Sequence, residues 1–206
     1  MNTLAASELE EFRALGSATV YEAAGRVGAL LESFVPIDPS LALVGPARLV
    51  VSPPGDNLAI HRAIAAASPG DVLVVDVGGS QAAGHWGEIM TVASQARGIA
   101  GLIINGTVRD TRAILARSFP VFHQGLSIVT ATKVAPLTEA PRSLKYAGVT
   151  VRWGDLVVAD FDGVAVVEAE RVPEVLEASR KRAADEQVTM KRLTDGETTL
   201  EIFGWQ

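Results

Sequence analysis

The sequence contains no cysteine, and aromatic residues make up only 5% of it. The missing cysteines exclude disulfide bonds, thiolate nucleophiles, and zinc or iron–sulfur sites with cysteine ligands. Glycine or charged residues interrupt every apolar run before it reaches the length of a membrane-spanning helix. Residues 1–13 lack the charged and apolar segments of a signal peptide. We therefore expect a cytoplasmic protein that has no membrane partner.

Basic residues are fewer than acidic ones: the sequence has 18 Lys and Arg and 24 Asp and Glu, which gives a formal net charge of −6. No block of basic residues is interleaved with aromatic ones, so we expect no nucleic-acid partner. The length and the hydrophobic content of 48% predict a single globular domain over residues 1–206. An acidic protein that binds an anionic metabolite must concentrate its positive charge locally.

Helix signals lie at both ends of the chain. A capping box, Ser7-x-x-Glu10, opens a short helix that stops before Gly16, and Thr19-x-x-Glu22 opens a second one that ends at Gly25. Pro173 begins a long C-terminal helix that reaches Leu193. Between them, helices are predicted at residues 57–67 with Asp56 as N-cap, at 88–97 with Gly98 as the stop, and at 110–117.

Short apolar runs between these helices predict β-strands. The run Val72–Val75 is continuous and β-branched, which is typical of a strand covered on both faces. The alternation of such runs with helices predicts an α/β fold. Strands are predicted at residues 41–51, 72–75, 99–104, 120–122, 126–131, 149–153, 156–159 and 164–167, with hairpins around Gly154-Asp155 and Asp162-Gly163.

An arginine and an aspartate are adjacent in the sequence shortly after the predicted strand at residues 99–104, where the chain is expected to reach the protein surface. Arg109 and Asp110 follow this strand closely, and open α/β folds bind ligands outside the carboxyl ends of their strands. Arg109 either forms a salt bridge with an acid such as Asp76 or clamps a carboxylate or enolate oxygen of a substrate. Asp110 is either an N-cap or a metal ligand, and the local sequence favours neither.

A glycine-bearing loop at residues 78–87 precedes this motif. It matches neither the P-loop nor the dinucleotide-binding glycine pattern. The helix that begins near Gly87 would point free amide groups at a carboxylate, which makes the loop a candidate anion site as well as a simple connector. Glu88, in the first turn, is either a carboxylate of the site or an acid that complements the helix dipole.

The long C-terminal helix carries an acid on its apolar side. Steps of three and four residues along that side lead from Ala183 through Glu186 to Met190. Buried carboxylates are costly unless they are paired or bound to a metal. Glu186 therefore either faces a functional site, on this or a neighbouring subunit, or lies at the rim of an exposed helix.

Other kinds of catalytic site receive no support. The three histidines, His61, His85 and His123, share no metal-ligand spacing, and no G-x-S-x-G motif is present. Lys133 and Lys145 are available for a Schiff base, but neither lies in a motif that indicates a desolvated amine. The sequence therefore indicates neither a histidine metal site, nor a Ser-His-Asp triad, nor a Schiff-base lysine.

A set of motifs, taken in order and spacing, is similar to a known family. They are Gly70-Asp71-Val72-Leu73-Val74-Val75-Asp76, Trp86-Gly87-Glu88, Arg97-Gly98-Ile99-Ala100-Gly101, Gly106-Thr107-Val108-Arg109-Asp110 and Phe119-Pro120-Val121-Phe122. They resemble the RraA-like family, which includes the regulator of ribonuclease E activity A and the 4-hydroxy-4-methyl-2-oxoglutarate aldolases. The similarity extends from Gly45-Pro46-Ala47-Arg48 to Asp162-Gly163-Val164.

The resemblance implies a three-layer ββα fold of the swivelling-domain type, with short N-terminal helices and a long C-terminal helix. It also implies a homotrimer or a hexamer made of two trimers, with sites between subunits. In the aldolase branch, Arg109 and Asp110 would serve the substrate and a divalent metal, Mg²⁺ or Mn²⁺. The implied remainder of the site is Glu88, the backbone amides at Gly87, Ile89 and Met90, and Glu186 from the adjacent subunit.

The activity implied is a metal-dependent aldolase that releases pyruvate from 4-hydroxy-4-methyl-2-oxoglutarate or a related 4-hydroxy-2-oxo acid. Oxaloacetate decarboxylation would be a side activity. The alternative is an RraA-type protein that inhibits a ribonuclease by binding to it. Three positions depart from the family pattern: Asn105 and Glu22 each replace an expected aspartate, and His85 precedes Trp86.

Overall fold

A seven-stranded sheet forms the centre of the computed structural model, which describes residues 4–136 and 139–205. The strands of the protein are β1 (Val35–Pro36), β2 (Leu43–Val51), β3 (Val72–Asp76), β4 (Gly84–Trp86), β5 (Gly101–Ile104), β6 (Thr107–Val108), β7 (Val121–His123), β8 (Gly125–Leu126), β9 (Ser143–Tyr146), β10 (Val149–Arg152), β11 (Leu156–Asp160) and β12 (Gly163–Val167). The strand order of the seven-stranded sheet is β1-β7-β5-β3-β2-β11-β12, and its four strands β7, β5, β3 and β2 are parallel.

The helices cover one face of this sheet, and a hairpin covers the other. Along β3, Leu73 and Val75 face the helices, while Val72 and Val74 pack with Tyr146 of the β9–β10 hairpin. This arrangement confirms the predicted three-layer ββα fold. The helices are α1 (Ala6–Ala23), α2 (Leu58–Ala66), α3 (Glu88–Ala96), α4 (Thr111–Ala116), α5 (Val172–Thr194) and α6 (Thr199–Phe203), with a single 3₁₀ turn at Ala169–Arg171.

Element α1 consists of the two predicted N-terminal helices, which are separated by a kink at Gly16. Gly16 interrupts the helix with a φ of 79°, a conformation that glycine adopts without steric cost. Asp160, at the end of β11, caps the second half of α1 by accepting hydrogen bonds from the Ser17 amide at 2.7 Å and hydroxyl at 2.6 Å. The predicted box at Ser7 is wrong: the Glu8 carboxylate accepts the Ala5 amide hydrogen at 2.7 Å.

Two strand predictions are wrong. Of residues 126–131, only Leu126 belongs to a strand, and the segment then continues through isolated bridges at Thr130 and Thr132. The Gly154-Asp155 turn does not join a hairpin, because β10 pairs with β9 while β11 pairs with β2 and β12. Strand β9 was not predicted, since Ser143–Tyr146 is short and mostly polar. No helix in the described part of the chain has the length and apolar character needed to cross a bilayer.

Candidate active site

A small parallel sheet brings the predicted site residues together. Strands β4, β6 and β8 form this second sheet, and Trp86 of β4 pairs with Val108 of β6. The Arg109 amide donates to the Trp86 carbonyl at 2.9 Å, so both strands end at the same level. Gly87 and Glu88 therefore lie beside Arg109 and Asp110, as the sequence predicted for adjacent strand ends.

Gly87 makes this close approach possible because it has no side chain. A Cβ atom at residue 87 would lie 2.5 Å from Asp110 Oδ2 and 3.2 Å from Arg109 Cγ. Gly84, at the start of β4, also leaves room for the Arg109 side chain, because a Cβ atom added at residue 84 would lie 3.2 Å from Arg109 Cβ. The Arg109 side chain thus packs against Gly84 and Gly87, and its guanidinium extends from there into the cleft.

Asp110 has an unusual backbone conformation and an unexpected partner. Its φ of 59° is left-handed, which is costly for a non-glycine residue and is often found at functional sites. Its side chain does not cap α4, as one alternative required; instead Oδ2 accepts the Glu88 amide hydrogen at 3.1 Å, at the first turn of α3. The same oxygen lies 3.7 Å from Arg109 Nε.

The Arg109 guanidinium is hydrogen-bonded within a cleft and does not pair with Asp76. Arg109 Nη1 donates to Thr130 Oγ1 at 3.3 Å. Asp76 Oδ1 instead accepts hydrogen bonds from the Asn105 side chain at 2.7 Å and the Gly78 amide at 2.8 Å, so Asp76 is not the salt-bridge partner of Arg109. The acid within salt-bridge distance of Arg109 is its neighbour Asp110. The cleft has a volume of about 260 Å³ and is lined by Val108, Arg109, Asp110, Thr111, Leu126, Ser127 and Ile128.

Glu88 is held by an arginine that sequence reasoning missed. Its Oε1 accepts hydrogen bonds from Arg117 Nη2 at 2.6 Å and Nε at 3.1 Å. Arg117 follows α4, which begins just after Asp110, so one short helix contacts Glu88 from both of its ends. After Glu88, the Ile89 side chain is exposed and that of Met90 is buried, while the backbone amides of both lie in the first turn of α3.

Glu186 lies apart from these residues within one chain. The buried side of α5 ends at Ser179, and Met190 is 47% exposed, so α5 does not bury a continuous stripe. The Glu186 carboxylate is half-exposed and pairs with Arg182 at 2.8 Å. Arg182 also pairs with Glu22, one of the positions that departs from the family pattern. The role of Glu186 in a site shared between subunits stays a prediction.

A buried polar cluster behind the site is formed by Asp56, Asn57 and His85. The N-cap residue of α2 is Asn57 and not the predicted Asp56, although Asp56 Oδ1 accepts the hydrogen of the first helical amide, at Leu58, at 2.9 Å. His85 is fully buried, and its Nε2 accepts the Gly55 amide hydrogen at 3.0 Å. Burial lowers the pKa of His85, so it is neutral at physiological pH. The turn signal Pro53-Pro54-Gly55 was visible in the sequence, but its contact with His85 was not.

Asp110 is the side chain of the cleft whose chemistry fits a divalent cation. Its carboxylate is 43% exposed and offers hard oxygen donors. Among the described residues, no three His, Asp or Glu side chains come together as a metal-binding group. A cation held by one carboxylate keeps most of its water ligands, which suits Mg²⁺ or Mn²⁺.

A family model described as RraA-like, Aldolase/RraA, matches residues 17–166. The chain belongs to the RraA-like family. It is 32% identical over 195 residues to a candidate 4-hydroxy-4-methyl-2-oxoglutarate aldolase of Halalkalibacterium halodurans, an alignment that covers 95% of this chain and 92% of that protein.

Solved structures carry the same RraA-like fold. A protein from Pseudomonas syringae pv. tomato aligns with a TM-score of 0.85 and 29% identity, over 96% of this chain and 92% of the other. RraAS2 of Streptomyces coelicolor, described as an unusual member of the RNase ES inhibitor RraA protein family, aligns with a TM-score of 0.80 and 25% identity. That alignment covers 91% of this chain and 98% of RraAS2.

One departure of this RraA-like chain has a local explanation. Asn105 Nδ2 donates to Asp76 Oδ1 at 2.7 Å, and Asn105 Oδ1 accepts the Val77 amide hydrogen at 2.8 Å. An ionised aspartate at residue 105 would lack the donor and would set two carboxylates against each other. The amide therefore joins the ends of β3 and β5 without charge repulsion.

Proposed function

We propose that this chain is a divalent-metal-dependent aldolase that releases pyruvate from 4-hydroxy-4-methyl-2-oxoglutarate or a related 4-hydroxy-2-oxo acid. Oxaloacetate decarboxylation is its proposed side activity. The observation that carries the proposal is the presence of Arg109 and Asp110 in one cleft, where the Asp110 carboxylate is also hydrogen-bonded to the Glu88 amide at the start of α3. The similarity to a candidate aldolase across nearly the full length of both proteins supports the same reaction.

In the proposed reaction, Arg109 binds the substrate. Its guanidinium, supported by Thr130, pairs with the carboxylate or keto oxygen of the 2-oxo acid. The first-turn amides of α3, at Ile89 and Met90, provide donors for the remaining carboxylate oxygen. When the C3–C4 bond breaks, negative charge moves to the keto oxygen, and the fixed guanidinium stabilises this pyruvate enolate.

The proton of the C4 hydroxyl needs an acceptor, and two carboxylates are proposed for this role. Glu88 lies beside Asp110 and is oriented by Arg117, while Glu186 would come from a neighbouring subunit. Asp110 would hold the metal ion, which when bound supplies a Lewis acid for the oxygens of the 2-oxo acid. Protonation of the enolate at C3 then gives pyruvate.

A ring of subunits, a trimer or a pair of trimers, is part of the proposal. Several apolar side chains near the cleft are exposed in the single chain, and Ile128 is 91% exposed. Contiguous exposed apolar surface is typical of protein interfaces. The exposed side chains on the elements around the cleft are Ile89, Val92, Leu115, Leu126, Ile128 and Val129.

The test is a coupled assay for pyruvate release from 4-hydroxy-4-methyl-2-oxoglutarate and from oxaloacetate. It is run with Mg²⁺, with Mn²⁺ and with a chelator, on the parent chain and on Asp110→Asn. We expect metal-dependent pyruvate from both compounds with the parent chain and a large loss with the variant. An absence of metal-dependent product from either compound would contradict the proposal.

That negative result would favour ribonuclease inhibition as the function. The structural similarity to RraAS2 and the net charge of −6 support this second candidate, because an acidic surface complements a basic RNA-binding segment. Ribonuclease activity measured with and without the protein would separate the two. The paired Arg109 and Asp110 in an open cleft favour the enzyme.

A further inference from the structure

Asp56 is a buried carboxylate that accepts four hydrogen bonds. One comes from the Leu58 amide at 2.9 Å, at the start of α2. The other three come from the segment after β8: Thr132 Oγ1 at 2.8 Å, the Val134 amide at 2.7 Å and the Ala135 amide at 3.2 Å. A charged acceptor makes stronger hydrogen bonds than a neutral one, so Asp56 fixes this segment firmly to α2.

The segment that Asp56 holds also supports the guanidinium of the candidate site. Thr130, two residues before Thr132, accepts a hydrogen bond from Arg109 Nη1. Next to it, the Val129 carbonyl accepts the Gly84 amide hydrogen at 2.8 Å, which ties the segment to β4. A chain of direct contacts therefore leads from Asp56 through residues 130–135 to the Arg109 side chain.

Asn57 holds the opposite wall of the site. Its side chain is buried, and its Nδ2 donates to the His85 carbonyl at 2.9 Å and lies 3.8 Å from Met90 Sδ. Its backbone amide donates to the Thr132 carbonyl at 3.0 Å. Asn57 thereby fixes the turn between β4 and α3, the turn that presents Gly87 and the first amides of α3.

We propose that Asp56 and Asn57 are positioning residues of the active site. Asp56 sets the Arg109 guanidinium through the 130–135 segment, and Asn57 sets the amides of the β4–α3 turn. Neither residue lines the cleft, so each acts through the groups it holds. The assignment of a catalytic consequence rests on the proposed function, but the structural coupling does not.

The first experiment measures the coupling without any substrate, by hydrogen–deuterium exchange. Asp56→Asn removes the charge, and Thr132→Val is a milder change that removes one of the four hydrogen bonds. The matched control is Asp155→Asn, because Asp155 is also buried and accepts two amide hydrogens, from Arg152 at 2.8 Å and Ala169 at 3.1 Å.

We expect both the Asp56 and Thr132 variants to exchange faster than the parent chain in residues 127–135. Asn57→Leu should instead accelerate exchange in residues 84–90, whereas Asp155→Asn should leave both regions unchanged. Folded variants of Asp56 and Thr132 with parental exchange in residues 127–135 would overturn the proposal.

The second experiment asks whether the activity lost on Asp56→Asn is lost through Arg109. We expect kcat/KM for pyruvate release to fall on the order of 10- to 100-fold, the scale of a small misplacement of a catalytic group. In an Arg109→Ala background, the same change should cost little more, because residues that act through one another are not additive.

If the double variant instead lost kcat/KM by the product of the two single losses, the effect of Asp56→Asn would be a general structural one. That result would overturn the positioning role of Asp56. If the parent chain releases no pyruvate, the proposed function fails, and the exchange measurements still decide whether Asp56 and Asn57 hold the two walls.

Discussion

At the scale of the residue, the proposed chemistry depends most directly on Arg109. Its guanidinium is the cation of the cleft, and Gly84, Gly87 and Thr130 together fix its path. The structure excludes Asp76 as the salt-bridge partner of this arginine, because Asp76 accepts hydrogen bonds from Asn105 and Gly78. Arg109 lies 3.7 Å from Asp110 in the cleft, and its binding of an anionic substrate is part of the proposal.

Arg109→Ala should lower kcat/KM for pyruvate release by about a hundredfold or more, the scale of losing one oxyanion donor. Steady-state kinetics with oxaloacetate will measure it. Arg97→Ala is the control, since Arg97 is exposed at the far end of α3 and should be neutral. Turnover of the Arg109 variant within a few-fold of the parent would contradict the assignment.

Gly87→Ala should damage the site through space alone. The new Cβ atom would lie 2.5 Å from Asp110 Oδ2, so the carboxylate and the adjacent guanidinium must move. We expect weaker metal binding, measured by calorimetry with Mn²⁺, and a loss of activity. Gly79→Ala, in the same loop, is the comparison, because its Cβ would meet nothing within 4 Å although its φ of 68° is strained. Equal losses in both variants would rule out the steric explanation.

At the scale of the element, the site is carried by loops and short strands joined by non-local hydrogen bonds. The longer elements could be predicted: β3, α3 and α5 each follow from a continuous apolar run, a helix stop or a proline at the first turn. The pairing of Glu88 with Arg117 could not, because it depends on how α4 packs. The strand predicted at 126–131 failed for a related reason: beyond Leu126 the backbone pairs only through isolated bridges, and side-chain hydrogen bonds of Thr130 with Arg109 and of Thr132 with Asp56 add to them.

The contact between α2 and the 130–135 segment should depend on acid. Burial opposes the ionisation of Asp56, but hydrogen bonds from Leu58, Val134, Thr132 and Ala135 lower its pKa to about 2. The unfolded value is about 3.9, so this stabilisation is complete above that pH and is lost as the pH falls toward about 2. Urea unfolding at a series of pH values should show the parent chain losing free energy of unfolding in this window, and Asp56→Asn losing less.

Asp155→Asn provides the contrast in sign. Burial raises the pKa of Asp155, so the ionised form of this carboxyl is disfavoured in the folded state. Its replacement should not reduce the loss of stability between about pH 4 and about pH 2. If the free energy of unfolding of Asp56→Asn depended on pH as that of the parent chain does, the negative charge of Asp56 would add no stability to its four hydrogen bonds.

At the scale of the whole molecule, two copies of the chain build each site in the proposed assembly of subunits. Glu186 pairs with Arg182 on the exposed half of α5, away from the contacts that join Arg109, Asp110 and Glu88. The proposed ring would bring it to a neighbour's cleft. The exposed apolar side chains beside the cleft, Ile128 foremost, support such an interface.

A mixing experiment tests the shared site. Arg109→Ala and Glu186→Gln should each have low activity while keeping the parental mass in light scattering. When the two are unfolded and refolded together, some interfaces will combine an intact Arg109 with an intact Glu186, and activity should reappear. Mixtures no more active than their separate components would show that Glu186 has no part in a neighbour's site.

The second sheet, which carries the site, consists of only three residues in β4 and two each in β6 and β8. Strands β4 and β6 are buried, but β8 is not, and Leu126 is 64% exposed, so the β8 edge is expected to open by local fluctuation while the seven-stranded sheet stays intact. Heating should then abolish the proposed pyruvate release several degrees before circular dichroism detects melting, and cooling from that interval should restore it fully.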